Sequence, residues 1–131
     1  MGKSLDELTS YMHPLAEQLI AAANAAGLDV VIEDTGRSID EQQVKLFTGV
    51  SWTRFSRHLP QPPEMKSEAI DLVPRACMSM KYWGWIGTVE NSAPQWGKLI
   101  AIGEGIGLES GVHFPHPDPG HFQWKRLLTT A

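Results

Sequence analysis

Between Leu5 and Ala26 apolar residues return at steps of three and four: Leu8, Met12, Leu15, Leu19, Ala22 and Ala26 fall along one side of a helix. That spacing predicts a helix with one buried face. Pro14 has no amide hydrogen and its ring crowds the preceding turn, so a kink, or two helices meeting, is expected there. Gly27 suits the C-terminal end. From Leu28 to Glu33 the helical step gives way to a cluster of β-branched residues, Val30, Val31 and Ile32, which predicts a short strand.

Further along, Thr35-Gly36-Arg37 reads as a turn, and Ser38 with Glu41 three residues on makes a capping box for a helix over about 39–48, ending at Gly49. Residues 51–66 carry Pro60, Pro62 and Pro63 and are expected to be irregular. Over 68–73 the pattern alternates, with Ala69, Asp71 and Val73 on one face and Ile70 and Leu72 on the other, as in a strand. Asn91-Ser92 can cap a helix over about 93–106, with Trp96, Leu99, Ile100 and either Ile102 or Gly103 inward. Glycines at 97, 103 and 105 weaken that helix and suggest close packing on another backbone. Residues 111–114 and 121–124 are expected to be a final pair of short strands around a proline-rich turn. The predicted fold class is α+β: a single domain over residues 1–131, with helices covering one side of a small antiparallel sheet.

Composition narrows the function. The chain has 131 residues, 42% hydrophobic and 20% charged, as an ordinary globular domain does. Its formal net charge of −4 supplies no general basic field for nucleic acid or anionic lipid. No apolar run approaches the roughly 20 residues of a membrane span, and the N-terminus has no signal pattern. Synthesis in the cytosol, with release by some other agent if the protein acts elsewhere, is the expectation. Cys77 is the one cysteine, which excludes an internal disulfide and a cysteine-rich structural zinc site, and it is expected to be a small core or near-surface residue.

A catalytic metal site needs about three protein ligands, commonly histidine and carboxylate, and a position left for water. A carboxylate nearby then manages the proton. Two segments qualify. The first is Ser56-Arg57-His58 followed, after a loop, by Ala69-Ile70-Asp71-Leu72. The second is Asp118-Pro119-Gly120-His121-Phe122-Gln123-Trp124, where a Pro-Gly turn can bring Asp118 back beside His121. On that strand His121 and Gln123 share a face, while Phe122 and Trp124 anchor the other.

At these residues the sequence resembles the zinc D,D-carboxypeptidases, D-Ala-D-Ala dipeptidases and L-alanyl-D-glutamate endopeptidases, which cut peptidoglycan stem peptides and include many phage endolysins. Ser56-Arg57-His58, Ala69-Ile70-Asp71 and Asp118-Pro119-Gly120-His121 stand in the order of the family's S-x-H, G-x-A-x-D and D/E-x-x-H motifs. Gly36-Arg37-Ser38 with Glu41-Gln42-Gln43 resembles its arginine segment, and Trp96 through Glu109 the helix leading to its last motif. The resemblance implies a Zn2+ held by His58, Asp71 and His121, with Asp118 as general base. It also implies Arg37 on the substrate carbonyl, where a fixed cation suits an anionic transition state. Ser56 and Gln123 are expected to contact substrate, or in the case of Ser56 to orient a ligand. Two departures stand out: the loop from Leu59 to Lys66 is longer than the family pattern, and Ser67 replaces its glycine. The segment Pro60-Gln61-Pro62-Pro63-Glu64 is expected to form a wall of the substrate groove.

Other readings stay open on particular residues. His113 and His116 lie close to His121 in sequence, but Pro115, Pro117 and Pro119 stiffen the segment, so they are expected to line the groove or face solvent rather than ligate. Trp96 and Trp124 fit packing positions, whereas Tyr82-Trp83-Gly84-Trp85 has no clear period and is either packed or an exposed substrate-side loop. The resemblance implies a monomeric peptidoglycan peptidase cutting the L-Ala–D-Glu bond in the manner of an endolysin, acting on the wall after release. D,D-carboxypeptidase or D-Ala-D-Ala dipeptidase activity is the alternative within the enzyme class, and an inactive wall-binding module the alternative outside it.

Overall fold

The computed structural model describes residues 2–36 and 57–126. The helix expected over 39–48 lies outside them. Two α-helices and a four-stranded antiparallel sheet form the described fold. We name them α1 (His13–Ala25), β1 (Val30–Asp34), β2 (Ala69–Pro74), α2 (Pro94–Ile106), β3 (Glu109–Ser110) and β4 (His121–Gln123), and the sheet runs β1-β2-β4-β3.

Pro14 does not kink a longer helix. It occupies the first turn of α1, where its missing N–H removes no hydrogen bond. The earlier apolar residues sit instead around a separate 3-10 turn, Leu5–Glu7, closed at Ser4 by a capping box with Glu7. The buried line of α1 also shifts by a residue from the expected one: Ala16, Leu19 and Ala23 are buried, whereas Ala26 is exposed. Gly27 then takes φ +84° and ends the helix, while Leu28 N–H reaches back to the Ala23 carbonyl.

Helix α2 begins at Pro94, within a residue of expectation, but neither Asn91 nor Ser92 caps it. The Ser92 hydroxyl is committed to the preceding loop, accepting from Ile86 N–H and donating to the Thr88 carbonyl. Trp96, Leu99, Ile100 and Gly103 face inward. Gly103 settles the alternative with Ile102, because the ring of Phe122 lies against it: a Cβ there would come within 2.3 Å of Phe122 Cε1. The strand expected over 111–114 is corrected. Pairing with β4 is made by Glu109 and Ser110, and Gly111–His113 instead forms a 3-10 turn capped by the Ser110 hydroxyl.

The register of β2 on β4 sorts the two faces of the sheet. Ile70 stands opposite Phe122, while Asp71 stands opposite His121 and Ala69 opposite Gln123. Directly opposed residues in an antiparallel pair share a face. Ile70, Leu72 and Phe122 therefore join Leu19, Trp96 and Leu99 in the core beneath the two helices, with Cys77 buried among them. The other face of the same two strands carries the polar set Asp71, His121 and Gln123.

Candidate metal centre

His121 Nδ1 lies 3.0 Å from Asp71 Oδ1 across the β2–β4 pair. From the loop before β2, His58 Nε2 reaches the same oxygen, also at 3.0 Å. The two rings meet edge to face, with centroids 5.1 Å apart. Both histidines are buried, at 1% and 6% exposure, so this polar cluster is built into the fold rather than left on its surface. One donor atom from each residue falls within 4.8 Å of the others. Donors set tetrahedrally about one ion at roughly 2.1 Å would be about 3.4 Å apart, so small side-chain movements would seat a divalent cation.

The proton arrangement also suits a ligand set. Glu109 Oε1 can only accept, so the amide nitrogen of Gln123 turns to it at 3.2 Å and the amide oxygen turns to His121 Nε2 at 2.8 Å. His121 thus donates through Nε2, which leaves Nδ1 as the ligating nitrogen when its proton is displaced. Such an outer partner fixes the tautomer of a metal-binding histidine. Without an ion, both ring nitrogens face oxygen acceptors. Burial alone would lower the His121 pKa, but the hydrogen bond and charge of Asp71, the charge of Asp118 and the Gln123 bond together raise it. Burial opposes ionisation of Asp71 as well, yet the charge of His58 and the hydrogen bonds from both histidines hold that carboxyl well below its usual value.

Two devices aim the His58 loop at β2. Ser67 is buried, and its hydroxyl donates to the carbonyls of Arg57 and Ala69 at 3.2 and 3.0 Å while accepting from Ala69 N–H. The serine that departs from the family's glycine therefore ties the residue before one ligand to the strand that carries another. Next to it, buried Glu68 receives Arg57 Nη1 at 3.1 Å, Arg126 Nε at 3.2 Å and the Tyr11 hydroxyl. Two cations and a phenol satisfy that carboxylate, as its burial requires. The longer loop is tied to the segment before α1. Glu64 binds the backbone N–H and hydroxyl of Ser10, both at 2.8 Å, and the stretch from Pro60 to Glu64 forms no wall of the cleft beside Asp71.

That cleft holds about 210 Å³ and is lined by Asp71, Asp118, Pro119 and Gly120 on the metal side. Trp83, Trp85 and Glu33 line it as well. Gly120 lets the turn lie directly on β2: its carbonyl accepts from Leu72 N–H at 2.8 Å, and a Cβ would fall 2.5 Å from the Leu72 oxygen. The same turn closes with His121 N–H on the Asp118 carbonyl at 3.3 Å, which brings Asp118 beside the cluster as the Pro-Gly spacing implied. His113 points elsewhere: it is exposed and its Nε2 meets Glu104 Oε2 at 3.0 Å. His116 is also exposed, and neither belongs to the cluster.

Arg37 and Ser56 lie outside the described residues. Gln123 is within them, and its side chain is engaged by His121 and Glu109. Sequence reasoning did not single out Glu109, Glu68 or Glu33. Glu109 carries no local signal, because its link to Gln123 depends on the register of β3 with β4. Glu68 could have been noticed as a second carboxylate three residues before Asp71, just ahead of the same strand.

No family model matches the chain, and no curated protein matches it significantly in sequence. Solved structures do match. One is the L-Ala D-Glu endopeptidase ChiX of Serratia marcescens, with a TM-score of 0.58 and 18% sequence identity over 92% of this chain and 83% of that one. At that identity the similarity is one of fold: this chain shares the fold of a peptidase.

Proposed function

We propose that this chain is a zinc-dependent peptidase that cuts peptidoglycan stem peptides, at the L-Ala–D-Glu bond, as an endolysin of phage type. The carrying observation is the convergence of His58 Nε2, Asp71 Oδ1 and His121 Nδ1 on the polar face of the sheet, at the side of a cleft. The fold shared with the Serratia endopeptidase and the order of the sequence motifs support the same reading.

His58, Asp71 and His121 would hold the ion, which supplies an acidified water and polarises the carbonyl under attack. Asp118, on the turn beside His121, accepts the proton of the attacking water and returns it to the departing amine. Gln123 and Glu109 hold the His121 ring in place throughout. Arg37 contributes the positive charge that stabilises the developing oxyanion, and Ser56 a hydrogen bond beside His58. The described lining of the cleft contains acids and aromatic rings and no cation. The working form is a monomer, made in the cytoplasm of the host and acting on the wall once released.

The test joins metal analysis with mass spectrometry of digested wall. The purified protein should hold one zinc per chain and create new amino termini on D-Glu. Released D-Ala would replace the endopeptidase reading with a carboxypeptidase or dipeptidase one. Stoichiometric zinc in a His58→Ala, His121→Ala double variant would refute the ligand set. Zinc binding without turnover would leave the wall-binding module.

A further inference from the structure

The pairing of β1 with β2 runs Val30–Pro74, Val31–Val73, Ile32–Leu72 and then skips a residue, so that Asp34 stands opposite Asp71. Glu33 is the extra residue of this bulge. A bulge turns side chains out of the regular alternation and is frequent beside active sites. Alternation from Val31, which stands opposite Val73, sets Glu33 on the face of Asp71; the bulge brings Asp34 opposite Asp71 as well, and Glu33 lines the cleft that contains Asp71 and Asp118. Glu33 belongs neither to the ligand cluster nor, among the described residues, to any side-chain ion pair or hydrogen bond.

The aromatic part of the cleft is fixed before substrate arrives. Tyr82 and Trp83 both lie in the left-handed region, at φ 54°. Non-glycine residues rarely adopt that conformation unless their surroundings impose it. Several hydrogen bonds do so here. Trp96 Nε1–H donates to the Trp83 carbonyl at 2.8 Å, Trp85 N–H to Tyr82 at 3.0 Å, and Ala93 N–H to Gly84 at 2.8 Å. Trp85 also meets Trp96 edge to face, with centroids 6.5 Å apart. Trp83 and Trp85 are therefore held against α2, and both line the cleft.

We infer that Glu33, with Trp83 and Trp85, forms a subsite for a primary ammonium group of the peptide substrate, beside the metal centre. The inference rests on the peptidase reading. A carboxylate accepts a charge-assisted hydrogen bond from an ammonium group, and indole faces attract the same cation. No described lining residue carries a competing positive charge. Asp71 is committed to the ion and Asp118 to the proton, which leaves Glu33 as the charge that selects. On a stem peptide the amine is the side-chain amine of a diamino residue or a free amino terminus.

The experiment uses the zinc-loaded protein and three synthetic peptides containing L-Ala-D-Glu: one with lysine after D-Glu and a free amino terminus, one N-acetylated, and one with norleucine for lysine. Cleavage is followed by chromatography and binding by quenching of tryptophan fluorescence. Glu33→Gln keeps the shape and removes the charge. It should raise KM and weaken binding about fivefold to tenfold for the parent peptide, with kcat nearly unchanged. The effect should vanish for whichever peptide lacks the recognised amine, which identifies its source. Glu33→Asp should recover part of the loss, and the melting temperatures of both variants should match the parent chain. Equal effects on all three peptides, or none, would overturn the subsite while leaving the peptidase reading intact. Charge-dependent binding without cleavage at L-Ala–D-Glu would do the reverse.

Discussion

Replacing Gln123 by leucine tests the proton arrangement of the metal centre. The change removes the acceptor 2.8 Å from His121 Nε2 and the donor 3.2 Å from Glu109. Its backbone place, opposite Ala69 and Glu109, is kept. Glu109 is half-exposed and can turn to water, but His121 is 6% exposed and its Nε2–H is left without an acceptor. A buried donor stranded in this way costs about 1–3 kcal/mol. The ring can escape by moving its proton to Nδ1 or by rotating, and either escape spoils the ligand atom. Loss of such an outer partner lowers metal affinity about 10- to 100-fold, or about 1.4–2.7 kcal/mol. The two ranges overlap, as they should if one hydrogen bond accounts for both. Zinc affinity measured by competition with a chromophoric chelator should fall within that interval. Nitrogen chemical shifts of His121 should show mixed tautomers in place of Nε2–H alone. Gln123→Glu retains an acceptor for His121 and should recover much of the affinity despite the neighbouring Glu109. Unchanged zinc affinity in a folded Gln123→Leu protein would refute the reasoning and return Gln123 to a substrate contact.

Asp118→Ala should abolish cleavage of stem peptides while zinc stays bound at one per chain, as mass spectrometry of the products and metal analysis can establish; loss of zinc would make Asp118 a ligand instead. In the metal-free protein His121 is raised above its usual 6.5, so its stabilising contribution is complete below that pH and disappears as pH rises through the raised value. Asp71 is held below 3.8, so its contribution is complete above that pH and disappears as pH falls through the lowered value. Thermal melts in chelator should therefore show these two groups contributing most between about pH 3.8 and 6.5. Zinc affinity should run the other way, rising with pH until the His121 proton is gone. In α2, Gly105→Ala meets nothing within 4 Å and should stabilise the protein by about 0.5–1 kcal/mol. Gly103→Ala would press on Phe122 at 2.3 Å and should destabilise it by about 1–3 kcal/mol in denaturant titrations, despite the same gain in helix propensity.

What could be read from the chain depended on how local each feature is. The alternation from Ala69 to Leu72 places Asp71 on the polar face of its strand, and Pro119-Gly120 sets the turn before His121, so two ligand positions follow from neighbouring residues. Cross-strand register does not follow in that way. Asp71 opposite His121 and Glu109 opposite Gln123 are consequences of how three strands align, and a slip of one residue would send each polar group into the core. The same limit explains the misplaced strand at 111–114: the strand ends at Ser110, whose hydroxyl caps the following turn, and only its pairing with Phe122 marks that end. It also explains Asp34, which comes to stand opposite Asp71 only through one unmatched residue after Ile32. A regular strand there would have kept strict alternation, with Asp34 turned to the face opposite that of Glu33. The bulge instead sets Asp34 directly across from Asp71, so one inserted residue gives the sheet edge a buried acid beside the ligand strand, while Glu33 keeps the cleft face that it would hold in a regular strand.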